Sequence, residues 1–136
     1  MKTSNTTKFM VVVLAGALLV TGYLFWINPT ESPSPDTSKL IGRWVRADGG
    51  YVLAFSDPGS NGLLKATYFN PRPINVSHAE WKQQDGSLGV SVELRDAGYP
   101  GSTYTLTYNP ATDTLAGNDY QAVAKQDFTV EFKRSQ

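Results

Sequence analysis

The chain has 136 residues, with twelve Lys and Arg against twelve Asp and Glu, and no cysteine. The zero balance excludes a basic nucleic-acid or anionic-lipid surface. The missing cysteines exclude a disulfide framework and a lipidated Cys.

Residues 1–8 carry Lys2 and Lys8 and read as a cytoplasmic tail. Phe9 to Ile27 follows, nineteen residues without a charge. As a helix it rises about 28 Å at ~1.5 Å per residue, close to a ~30 Å hydrocarbon core. It is read as a signal anchor in contact with the lipid bilayer. Tyr23 and Trp26 are types favoured at the membrane interface. The alternative is a signal peptide cleaved near Gly22, after Val20-Thr21. Positive charges stay on the cytoplasmic side, and Glu31 and Asp36 follow the run. The remainder is therefore expected outside a single-pass cell membrane, periplasmic or extracellular.

Residues 28–39, NPTESPSPDTSK, hold three prolines and no large apolar side chain. Such a stretch reads as an extended spacer. Residues 40–136 are the folded domain, with ten basic and ten acidic residues from Lys39 onward.

Turn signals then recur every ten to twelve residues, at Asp48-Gly49-Gly50, Asp57–Gly62, Asn70–Pro73, Gln84–Gly86, Ala97–Gly101, Asn109–Asp113 and Lys125–Asp127. This spacing predicts an all-β domain. The strands are Gly42–Ala47, Tyr51–Ser56, Leu63–Phe69, Val76–Gln83, Leu88–Arg95, Thr103–Tyr108, Thr114–Gln121 and Phe128–Arg134. Alternation gives each strand one apolar face: Tyr51, Leu53 and Phe55; Leu64, Ala66 and Tyr68; Val90, Val92 and Leu94; Tyr104, Leu106 and Tyr108; Phe128, Val130 and Phe132. Short links make sequential neighbours pair. The expected fold is an about eight-stranded antiparallel up-and-down meander barrel, preceded by one N-terminal transmembrane or signal helix.

Gly42-Arg43-Trp44 opens the first strand, and Arg134 shares the inward phase of Phe132 on the last. This pattern resembles the calycins, the lipocalin and avidin group of β-barrels. The resemblance implies a small barrel in which Arg134 stacks on Trp44, a cation–π contact of about 0.5–2 kcal/mol. These two residues are expected to be structural. The chain also looks like exported bacterial proteins with this turn-rich pattern, a likeness that implies no function.

Arg72 sits between Pro71 and Pro73, in a loop held extended. A meander brings that loop to the end of the barrel that carries the link after Arg95. Arg72, Asn75, Arg95, Asp96 and Tyr99 then form a candidate rim for an anionic or polyhydroxylated small molecule. The alternative is a salt-bridged rim that closes the turns. His78 is the single histidine, so no catalytic triad can be assembled without it. It is weighed as a haem ligand, and Glu80 with Glu93 as a carboxylate pair, but both glutamates fit a solvated face. Asn75-Val76-Ser77 matches the glycosylation pattern of a eukaryotic secretory route.

The reading is a non-catalytic protein, with no cofactor and no metal, and with no nucleic acid among its partners. It is a membrane-tethered exported module that contacts a protein or envelope partner. The alternative is a carrier that holds a small polar ligand on the rim or in the barrel mouth. A filled barrel favours the module. A mouth lined by Tyr68, Tyr104 and Tyr108 favours the carrier.

Overall fold

A computed structural model of the chain describes residues 33–136. The predicted membrane segment, its orientation and its cleavage alternative lie outside the described residues. Among the described residues no helix is long and apolar enough to cross a membrane. The unit described below is Pro35–Gln136.

A short 3-10 helix, Thr37–Leu40, precedes nine strands. These are β1 (Gly42–Arg46), β2 (Val52–Ser56), β3 (Lys65–Phe69), β4 (Pro73–Ile74), β5 (Val76–Gln84), β6 (Ser87–Asp96), β7 (Tyr99–Asn109), β8 (Thr114–Gln121) and β9 (Gln126–Arg134). They form one antiparallel sheet in the order β4-β3-β2-β1-β9-β8-β7-β6-β5. All pairs but one join strands adjacent in sequence, as short links dictate. The exception is β1 with β9, where Trp44 lies opposite Arg134 and Arg46 opposite Phe132.

The expected eight strands are thus nine. The extra one, β4, is two residues long, too short to show alternation. It forms because Ile74 has a buried place in the core, opposite Tyr68 of β3. Pro73 is tolerated because β4 is a sheet edge, where a missing N–H breaks no ladder.

The two edges, β4 and β5, are separated by Asn75 alone, so the sheet curls back on itself. Leu64 N–H donates to Ala79 O at 3.1 Å and Trp81 N–H to Gly62 O at 2.8 Å. These bonds bring the start of β3 onto β5. The result is a nearly closed barrel, which leaves little exposed edge.

Strand β7 starts earlier than its turn signal predicts. The link is only Ala97-Gly98, and β7 begins at Tyr99. Pro100 and Gly101 are absorbed by a bulge: Leu94 faces Ser102 while Arg95 faces Pro100. Gly101 holds the φ of 102° that this bulge requires. On β8, Gly117 is required by proximity. A Cβ there would lie 2.1 Å from Thr105 O, so β7 and β8 could not approach as they do.

The core takes one face of every long strand. Leu53, Phe55, Leu64, Tyr68, Val90, Val92, Leu94, Tyr104, Leu106, Val130 and Phe132 are buried. Ala66, Tyr51 and Tyr108 are partly buried against them. Phe128 departs from the expected inward row and is 38% exposed. It lies opposite Asp119, beyond the last buried residue of β9 on the mouth side.

One end of the barrel is plugged. The Asp36 side chain caps the 3-10 helix by accepting from Ser38 N–H at 3.2 Å, and Leu40 is buried beneath it. Trp44 is 0% exposed, and its indole N–H donates to Leu40 O at 2.9 Å. The Arg134 guanidinium stands 4.2 Å over the Trp44 ring. It donates to Ile41 O and Lys39 O, both at 2.7 Å, and pairs with Asp113 at 2.7 Å. Tyr108 meets the Trp44 ring edge-on at 6.1 Å.

Candidate functional site

The opposite end is framed by the links 47–51, 70–72, 97–98 and 122–125, and it is open. A cavity of about 380 Å³ lies there. Four tyrosines line it, Tyr51, Tyr68, Tyr99 and Tyr104, with Arg46 and Asp119 at its floor. Asn70, Ser102, Gln121, Leu94, Gly98 and Val123 complete the wall.

Strand phase explains the charged floor. Arg46 is two residues beyond Trp44 on β1, so it points inward. Asp119 is two beyond Gly117 and four beyond Leu115 on β8, and it points inward as well. Arg46 is 8% exposed and Asp119 3%. Arg46 Nη1 donates to Asp119 Oδ2 at 2.7 Å and to Tyr104 Oη at 3.2 Å. Its Nε and Nη2 donate to Asp48 at 2.6 and 3.0 Å. The guanidinium also lies 4.9 Å over the Tyr51 ring. Burial alone would lower the Arg46 pKa. The hydrogen bonds to Asp48, Tyr104 and Asp119 outweigh it and hold the pKa above the usual value.

The phenols continue this network. Tyr68 and Tyr104 hydroxyls are 3.2 Å apart. Burial raises the pKa of both, and their mutual hydrogen bond raises that of Tyr68 further. Both therefore stay protonated and act as neutral donors and acceptors. Tyr99 meets Tyr68 edge-on at 6.0 Å and accepts from the Asn70 amide at 2.5 Å. Tyr51 lies parallel to Tyr68 with centroids 6.5 Å apart. Gln121 donates to Asp119 at 3.3 Å. Among the described residues, every buried side-chain nitrogen and oxygen has a partner.

Of the rim residues singled out in the sequence, Tyr99 alone lines this cavity, and of the three tyrosines expected at a mouth, Tyr68 and Tyr104 do. Asn75, Arg95 and Asp96 are brought together beside it, as a corner that joins β5 to β6. Asn75 N–H donates to Asp96 at 2.8 Å and the Asn75 amide to Arg95 O at 3.0 Å. Arg95 N–H returns a bond to Asn75 O at 3.0 Å. The Arg95 side chain turns outward to Glu93, at 2.7 Å. Arg72 is exposed in its turn, and its charge helps hold Asp96 low. Tyr108 belongs to the plugged end with Trp44. His78 is on the exposed face, 3.1 Å from Glu80. Among the described residues no group of three or more His, Cys, Asp or Glu is placed to hold a metal ion.

Arg46 and Asp119 escape a pattern of apolar rows, although both share the inward phase of their neighbours on β1 and β8. The available signal was two opposite charges in inward phase at the same end of a meander.

Several carboxylates are held below their usual pKa. Hydrogen bonds do this for Asp113 from Arg134, for Asp48 from Arg46, and for Asp96 from the Asn75 and Ala97 backbone. Between the folded and unfolded pKa values the unfolded chain binds more protons. Their contribution is complete above the unfolded value of about 4 and is lost as pH falls through the lower folded values. Denaturation midpoints should be level from neutral down to roughly pH 5, then fall steadily. A midpoint unchanged to roughly pH 2 would contradict these shifts.

No family model, curated protein or solved structure matches the chain.

Proposed function

We propose that the protein is a non-catalytic, exported β-barrel that holds a small molecule in its open mouth. The cavity carries this reading. Its volume of about 380 Å³ lies within the roughly 300–1,000 Å³ usual for small-molecule sites. The ionised floor groups are paired with each other and the phenols are protonated, which supports binding rather than proton transfer. The stack of Arg134 on Trp44 supports a calycin-like barrel.

A thermal-shift screen of the full chain tests the reading. A ligand at about 100 times its Kd should stabilise by ~2.7 kcal/mol. Val123 is 70% exposed at the mouth, so Val123→Trp should block the cavity without disturbing the core. The shift should vanish in Val123→Trp and persist in Arg72→Ala. The reverse pattern would move the ligand to the outer rim of Arg72, Asn75, Arg95 and Asp96. A screen with no shift would remove the carrier reading.

A second reading keeps the module that contacts a protein or envelope partner. The β8–β9 hairpin supports it, because Tyr120, Val123 and Phe128 are exposed there. Such a contact would be lost in Phe128→Asp and would ignore small molecules.

For location, we propose a single-pass signal anchor over residues 9–27, on the strength of its apolar length and flanking charges. Protease added to intact cells stripped of any outer wall should digest the domain. A domain shielded until the cytoplasmic membrane is lysed would reverse the orientation.

A further inference from the structure

Given a binding mouth, on which this step rests, we propose that its ligand is an uncharged polyhydroxylated ring, the chemistry of a saccharide unit. Charge narrows the choice first. Arg46 is shared between Asp119 at 2.7 Å and Asp48 at 2.6 Å. A guanidinium flanked by two carboxylates offers an anion no uncompensated positive charge. Asp119 is likewise matched by Arg46, and a ligand amine would meet that guanidinium at close range. A neutral ligand avoids both conflicts.

The lining then selects hydroxyls. Phenol tips, the Asn70 and Gln121 amides and the Ser102 hydroxyl each combine donor and acceptor capacity. A ligand hydroxyl has the same dual character. An anion would use the donors alone, and an amine the acceptors alone. A purely apolar ring would leave the remaining hydrogen-bonding capacity of the phenol tips, the two amides and Ser102 unmet, which carries a desolvation cost. The rings of Tyr51 and Tyr99 are partly exposed in the wall. They offer apolar ring surface to the C–H face of a sugar, while the Tyr99 hydroxyl stays bonded to Asn70.

The test uses the full chain labelled with fluorotyrosine and followed by fluorine NMR, with resonances assigned by single Tyr→Phe changes. The probes are glucose, galactose, N-acetylglucosamine, glucuronate, choline and indole. At least one neutral sugar should move the Tyr51 and Tyr99 resonances and leave that of Tyr108, at the plugged end, unmoved. Glucuronate should bind at least about tenfold more weakly than that sugar. Gln121→Ala and Asn70→Ala should each weaken the sugar by about tenfold, with an unchanged denaturation midpoint showing that the barrel is intact. Choline, indole or glucuronate moving these resonances with no neutral sugar doing so would overturn the ligand class and leave a binding mouth. Silence from all six would overturn the ligand class, and with a blank thermal-shift screen it would overturn the binding mouth too.

Discussion

Arg46→Met should cost about 3–5 kcal/mol in chemical denaturation, and Asp119→Leu less, because Arg46 keeps its pair with Asp48. Arg46→Met leaves the Asp119 charge buried at the floor of the mouth, at 3% exposure, without the bond at 2.7 Å. The double variant should recover most of the loss, because an apolar pair of similar volume needs no compensating charge. The coupling between the two sites should be large and opposite in sign to the single costs. Costs that simply add in the double variant would mean that solvent, and not the partner, satisfies each charge. On the proposed carrier function, the double variant should also lose ligand at the mouth while remaining folded, which would separate the stability of the floor from a part in binding.

Trp44→Ala should cost ~3–5 kcal/mol. The ring is fully buried and three neighbours depend on it. Leu40 receives its indole N–H, Arg134 covers one face and Tyr108 abuts it. The 3-10 helix closes over it through Leu40. Trp44→Phe keeps most of the apolar volume and removes the hydrogen bond, so a smaller cost of about 1 kcal/mol beyond the lost area is expected. A loss under about 1 kcal/mol for Trp44→Ala would show that the plugged end contributes little to stability.

The strands and most of their inward rows were legible because one face is buried and the other wet, which writes a period of two into the sequence. Leu53, Val92, Leu106 and Phe132 follow that period and are buried. Three features escaped it for definite reasons. Strand β4 is too short to carry a period. The first residues of β7 look like a turn, since Pro100 and Gly101 occupy a bulge that pattern alone does not distinguish from a link. Phe128 has the right phase but lies past the core, and phase says nothing of where along its axis a barrel stops being filled. The candidate site was legible through Tyr99 on the rim and through the inward phase of Tyr68 and Tyr104. Arg95 and Asn75 could be placed together because a meander brings their two links to one end of the barrel. Arg46 and Asp119 are 73 residues apart, and only strand register brings them together.

The chain enters and leaves the barrel on the Trp44 side. Thr37–Leu40 closes that side, and Ser135 N–H is still bonded to Arg43 O there, at 2.9 Å. A bead, an electrode or a reporter domain joined before Pro35 or after Gln136 would hang from the plugged side. Every link that frames the mouth is instead an internal hairpin. Those hairpins can be lengthened, shortened or randomised as recognition loops without touching either point of attachment, which makes this barrel a natural frame for a surface-mounted sensor.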